Sequence, residues 1–104
     1  MLDSDYKVTI SDAALAMLDS HALFLARVSP DAAERMVRKV LSEIKTLSNN
    51  PERFPVYESI FISGVNYHRM LTAKRYLVIY EIREDAVYVD YIVDCRQDYA
   101  WLIR

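Results

Sequence analysis

The sequence predicts an α+β fold: an N-terminal strand, an antiparallel helix hairpin and a three-stranded antiparallel meander, which together make a four-stranded sheet. Three observations lead there. Between Tyr67 and Val93, three runs rich in β-branched and aromatic residues are separated by two short polar breaks. Before them come two stretches of helical period, from Ala13 to about Val28 and from Pro30 to Leu47. Before both lies one short run of alternating character, Tyr6-Lys7-Val8-Thr9-Ile10.

That first run alternates apolar and polar side chains, as a half-buried strand does. Ser11 or Asp12 follows it and can accept hydrogen bonds from the free N–H groups of a helix start. In the first helix, Leu15, Leu18, Ala22 and Leu25 recur at helical spacing and are expected to face the sheet. His21 lies inside this helix and is read as a surface or half-buried histidine, not a catalytic one. Ser29-Pro30-Asp31 marks the second start. Serine caps, proline suits the first helical position, and aspartate complements the positive end of the dipole. Ala33, Met36, Val37, Val40, Ile44 and Leu47 make its apolar stripe, and Glu34 and Arg38 stand at i,i+4 and can pair weakly. Ser48-Asn49-Asn50-Pro51 ends the helix.

From Glu52 to Asn66 the pattern is weakest. Phe54-Pro55 indicates an anchored turn, Ile60-Phe61-Ile62 a short strand or a buried loop, and Gly64, the sole glycine, a turn or bulge. The meander follows. Breaks as short as Thr72-Ala73-Lys74-Arg75 and Arg83-Glu84-Asp85 return each strand beside its predecessor. The middle strand, Tyr76 to Ile82, is apolar at nearly every position, so it should be central with both faces covered. The outer two strands of the meander mix polar and apolar residues, which suits a sheet with one face more exposed. The N-terminal strand is expected next to the last or the central strand.

The 104 residues, 53% apolar and 12% aromatic, are read as one domain, residues 1–104, with a core that needs neither disulfide nor metal. The single cysteine, Cys95, excludes an intramolecular disulfide and a cysteine metal cluster. It is read as a small apolar residue at a strand end. A reduced, cytoplasmic setting is the simplest fit, since no apolar run reaches membrane-span length and the N-terminus lacks the pattern of a signal peptide. Net charge is -2, which does not advertise nucleic-acid binding. Its distribution is uneven. Residues 35–83 carry nine basic and four acidic side chains, while both flanking segments are acidic. Folding either gathers the positive charge on one side or scatters it over solvated helix faces. There is no phosphate-binding glycine loop, no metal-spaced His or Cys cluster and no serine-nucleophile elbow, which argues against a conventional hydrolase or metalloenzyme.

The order strand, helix, helix, meander and tail resembles the RelE/ParE superfamily of toxins from bacterial type II toxin–antitoxin modules. The residues that carry the resemblance are Tyr6 to Ser11, Tyr67-His68-Arg69-Met70-Leu71, Tyr76 to Ile82, Val87-Tyr88-Val89 and Arg96-Gln97-Asp98-Tyr99. It covers most of the chain apart from Glu52 to Val65. The resemblance implies a cognate antitoxin as partner, in a toxin–antitoxin hetero-oligomer, and no cofactor or metal. It leaves two targets open. RelE-like members cut messenger RNA on the ribosome, whereas ParE-like members lack that chemistry and poison DNA gyrase.

Cutting needs cations on the phosphate and a group that assists attack by the ribose 2′-hydroxyl. Carried over by position, one lysine of RelE-like members falls on His68, a second on Met70, and a phosphate-binding arginine on Leu77. Arg96 and Tyr99 stand where the tail places its basic and aromatic groups, and Arg75 lies at the nearby turn. A ribonuclease reading therefore uses His68, Arg75, Arg96 and Tyr99. Arg96-Gln97-Asp98-Tyr99 is equally readable as a structural turn packed back by Trp101, Leu102 and Ile103. Tyr67, Tyr76 and Tyr80 are expected in the core. The missing cations favour a ParE-like or otherwise non-cleaving toxin. The alternatives are a ribosome-dependent endoribonuclease and a non-toxic partner-binding module of the same fold.

Overall fold

The computed structural model describes residues 5–57 and 66–95. Strand β1 (Lys7–Ile10) leads into helix α1 (Asp12–Ala26) and helix α2 (Pro30–Lys45), followed by 3-10 turns at Thr46–Ser48 and Pro51–Arg53. Strands β2 (Tyr67–Thr72), β3 (Tyr76–Arg83) and β4 (Ala86–Asp94) form the meander. Ile60-Phe61-Ile62 and Gly64 lie outside the described residues, as do Arg96 to Arg104.

Both helix starts form as their sequences require. Ser11 is extended and its hydroxyl accepts from the Ala14 N–H at 3.0 Å. Ser29 does the same for the Ala32 N–H at 3.1 Å, with Pro30 in the first turn. The α2 stripe is buried as expected at Ala33, Met36, Val40, Ile44 and Leu47, with Val37 half-buried against it. Glu34 and Arg38 pair at 3.0 Å on the exposed side.

Leu18, Ala22 and Leu25 of the expected α1 stripe pack into the core, but Ala14 takes the place of Leu15. Ala14 and Leu18 are buried, whereas Leu15 is 40% exposed. Apolar residues occupy most sides of α1, so their spacing selects no single face. Packing against two neighbours, α2 and β4, decides it. The row Ala14, Leu18, His21 and Leu25 turns inward, and the His21 ring meets the Ile92 carbonyl at 2.8 Å.

The sheet order is β1-β4-β3-β2. β2–β3 and β3–β4 are antiparallel, and β1 lies parallel to β4 from Lys7↔Ala86 to Ile10↔Val89. The first strand therefore sits beside the last, and the sheet is mixed. This arrangement corrects one expectation. Instead of leaving one face more exposed, β4 is an inner strand between β1 and β3, buried on both faces at Ala86, Val87, Val89, Ile92, Val93 and Asp94. β3 is inner too, with Val78, Ile79 and Tyr80 fully buried.

Alternation sends the strand side chains two ways. Met70, Tyr76, Val78, Tyr80, Val87, Val89 and Ile92 pack with the helices in the main core. Tyr67, Ile79 and Val93 form a smaller cluster with half-buried Tyr57, Leu77 and Tyr91. The three expected core tyrosines are thus buried. Cys95 lies at a strand end as expected, one residue past the final sheet pair, Tyr76↔Asp94, and is exposed there.

Candidate functional site

Two turns and one bulge decide where the polar side chains go. The β2–β3 turn closes with Arg75 N–H bonded to the Thr72 carbonyl at 3.3 Å, and its central residues, Ala73 and Lys74, both have positive φ (50° and 71°). Hairpins favour this left-handed geometry, but asparagine and glycine are its usual occupants, and alanine and lysine carry a steric cost there. The turn lifts Lys74 and Arg75 to face α2 across a groove of about 790 Å³. Arg35 and Lys39 line the α2 side, Leu71 and Ala73 the turn side, and Met36 and Tyr76 also contribute. Four of the nine cations of residues 35–83 therefore meet at one groove. Its single acid, Glu43, accepts from the Thr72 hydroxyl and pairs with Lys39 at 3.3 Å. The Thr72 hydrogen bond is the main cause that lowers the Glu43 pKa, with Lys39 adding to it.

Arg75 is also a wall of a second cavity, of about 300 Å³, shared with Met17, Ser20, His21, Phe24, Tyr76 and Asp94. Its guanidinium meets buried Asp94 at 2.9 Å and lies 5.1 Å from the Tyr76 ring centre. The Arg75 carbonyl accepts the Cys95 N–H at 2.7 Å, so the same residue holds the end of β4. Partial desolvation of the Cys95 thiol, with Asp94 close by, raises its pKa and keeps it protonated.

The bulge lies in β4. Ile79 pairs with Tyr91 and Tyr80 with Val89, so Asp90 is an extra residue. Its carboxylate accepts from the Tyr67 hydroxyl at 2.9 Å and sits against Glu81, which is only 7% exposed. Burial, then the hydrogen bond with Glu81, pushes the Asp90 pKa up to about 6. Arg83 partly compensates, meeting Glu81 at 2.8 Å while lying over the Tyr88 ring.

The residues expected from sequence fall as follows. His68 lies on β2 opposite Tyr80, stacked on its ring, with Nδ1 2.9 Å from the Phe54 carbonyl. Arg75 is at the other end of β3. The pairs His68↔Tyr80 and Thr72↔Tyr76 are four strand positions apart, or about 13 Å, so the two do not converge. Met70 is 2% exposed in the core and Leu77 is half-buried. Arg96 and Tyr99 lie outside the described residues. Sequence reasoning missed the α2 groove, the His21–Asp94 cavity and the Glu81–Asp90 pair. A hint of the first existed in the excess of cations over residues 35–83. Nothing in the alternation of β4 announced the bulge that brings Asp90 to Tyr67.

Residues 8–99 match the family of the ParE toxin of the type II toxin-antitoxin system, parDE. The chain belongs to the ParE toxin family. A solved structure of the chromosomal ParDE TA system from P. aeruginosa superposes with a TM-score of 0.70 at 13% identity, covering 88% of this chain and 98% of that one. At such low identity the likeness shows the fold alone, and it is the fold of β1, the helix hairpin and the meander. No curated protein sequence matches the chain. As a ParE toxin it is the toxin component of a type II pair, whose other member is an antitoxin. Among the described residues, no helix of this ParE toxin is long and apolar enough to cross a membrane, and no group of three or more His, Cys, Asp or Glu is placed to hold a metal.

Proposed function

We propose that this ParE-family toxin arrests growth from the cytoplasm without cutting RNA, by acting on DNA gyrase, and that its cognate antitoxin neutralises it in a hetero-oligomer. The observation that carries this reading is the β2–β3 surface. Where a messenger-RNA-cutting relative needs cations, this chain has buried Met70 and half-buried Leu77. His68, the residue a nuclease reading would use for proton transfer, is stacked on Tyr80 with its Nδ1 2.9 Å from the Phe54 carbonyl. Arg75, the nearest candidate to hold a phosphate, is far along the strand and paired with Asp94. A general base and a phosphate-binding cation must act on the same few atoms, and these two do not share a site. Gyrase as target follows from the resemblance to ParE-like toxins.

Two measurements on one preparation test the proposal. Purified toxin added to gyrase and relaxed plasmid should suppress supercoiling or trap cleaved DNA, and antitoxin should reverse the effect. Programmed ribosomes given the same toxin should keep their messenger RNA intact. Ribosome-dependent cleavage lost in His68→Ala, Arg75→Ala, Arg96→Ala or Tyr99→Phe at unchanged melting temperature would replace this proposal with the endoribonuclease reading.

A further inference from the structure

We infer that the outer face of α1 pairs with the same face of a second copy of this chain, in an antiparallel, two-fold arrangement centred on Leu23. The inference goes beyond the toxin's target and its antitoxin and rests on neither. Its first basis is the composition of α1. A helix whose outer face meets water carries polar and charged side chains there. α2 is built that way, with Asp31, Glu34, Arg35, Arg38, Lys39 and Lys45 exposed. α1 is not. Its exposed positions include Ala13, Leu15, Ala16, Leu23 and Phe24, and the charged side chains within the helix are Asp12 and Asp19 alone. A helix apolar on most sides is one that is covered on most sides.

Leu23 stands at the middle of the uncovered side. It lies nine residues beyond fully buried Ala14, about half a turn round the axis, and is 71% exposed. Phe24, 58% exposed, and Val28, 81% exposed in the turn that closes the helix, continue the apolar surface from it. Single exposed apolar side chains are ordinary on a protein surface, but adjoining large ones mark a contact.

Charge selects the occupant. Asp19 comes one turn before Leu23 and Arg27 one turn after it, each about 40° from it round the axis and about 6 Å along it. Both are exposed, and among the described residues neither makes an ion pair. The charges are thus opposite on the two sides of Leu23. When a second α1 lies antiparallel across the first, Leu23 meets Leu23, and each Asp19 comes level with Arg27 of the other copy. Two ion pairs then flank one apolar contact, as a two-fold interface built from a single surface requires. A parallel arrangement would set Asp19 on Asp19 and Arg27 on Arg27, which repulsion opposes. The face is therefore complementary to itself in one direction only. Its apolar patch is small, so the pairing belongs to the weak class, with a dissociation constant on the order of micromolar.

Sedimentation velocity of the full-length chain, from about 1 to about 200 µM, tests this. The wild type should pass from the mass of one chain to that of two. Leu23→Asp should stay monomeric throughout. Asp19→Arg and Arg27→Asp should each weaken the dimer by about tenfold or more, because symmetry alters both ion pairs at once. An equimolar mixture of these two variants should associate again, since each Arg of one chain then faces an Asp of the other. All three side chains are exposed in the single chain, so circular dichroism at the lowest concentration should show every variant folded. A wild type that is monomeric at every concentration overturns the proposal. So does a dimer that persists in Leu23→Asp. A dimer weakened by the single reversals but not restored in the mixture overturns the antiparallel register. A wild type monomeric by itself, whose binding to the antitoxin is lost in Leu23→Asp, gives the face to the antitoxin and overturns the choice of a second copy.

Discussion

At the scale of single residues, Asp90 has the environment with the clearest consequence. Tyr67 on β2, Glu81 and Arg83 on β3, and its own burial act on its carboxyl together. Its folded-state pKa, about 6, lies above the ordinary 3.8. Between those values the folded chain keeps a proton that the unfolded chain has released. The stabilisation from this group is therefore complete below about pH 4 and is lost as pH rises through about 6. Asp90→Asn keeps an acceptor for Tyr67 and supplies the donor toward Glu81 that the protonated acid provides. It should raise the melting temperature at pH 7.5, and the gain should shrink to nothing near pH 4. A gain that is flat across pH 4–8 in thermal melts would show that the carboxyl pair shares no proton. Tyr80 shows a quieter effect of the same kind. Burial pushes its hydroxyl up to about 12, so it stays protonated and donates to the Pro51 carbonyl at 2.7 Å.

At the scale of elements, the β2–β3 hairpin combines a rigid strand with a strained turn. Val78 is fully buried between the helices and the sheet. Val78→Asp places an unpaired charge there and should cost more than about 4 kcal/mol, seen as loss of cooperative unfolding or a large fall in urea midpoint. A variant melting within a few degrees of wild type would mean that β3 is misplaced. In the turn the sign reverses. Ala73 has φ of 50°, where a Cβ is unfavourable. Ala73→Gly should stabilise the fold by about 1 kcal/mol, less the entropy that glycine adds to the unfolded chain. Chemical denaturation of both proteins side by side reads this difference.

At the scale of the whole molecule, an acidic chain with one basic groove should associate with its antitoxin under electrostatic steering. The association rate should fall by about tenfold or more between low and high salt, while the dissociation rate changes little, because salt screens encounter more than it screens packed contacts. An association rate that is level from 50 to 500 mM salt, on the order of these conditions, would remove the steering component. The fold explains the gathering of charge. The nine cations of residues 35–83 are spread along helix, turn and strand, and the hairpin meets α2 where Arg35, Lys39, Lys74 and Arg75 face one another.

Local chemistry was legible in the sequence wherever a residue acts on its own neighbours. Ser11 and Ser29 cap the N–H groups three positions on, the α2 stripe repeats at its own period, and short breaks force an antiparallel meander. Each depends on chain geometry within a few residues, which side-chain type and spacing encode. The tertiary structure decided what depends on partners distant in the chain. β1 took the place beside β4 rather than beside β3, which made β4 an inner strand with both faces buried. α1, apolar on most sides, took its buried face from α2 and β4. The bulge at Asp90 brought two acids and Tyr67 together, and Arg75 came to Asp94 instead of to His68. None of these is written in a local period, because each is set by which surfaces meet once the helices and strands already exist. The family and the fold rest on local patterns in their order, and the groove and the acid pair exist only in the packed molecule.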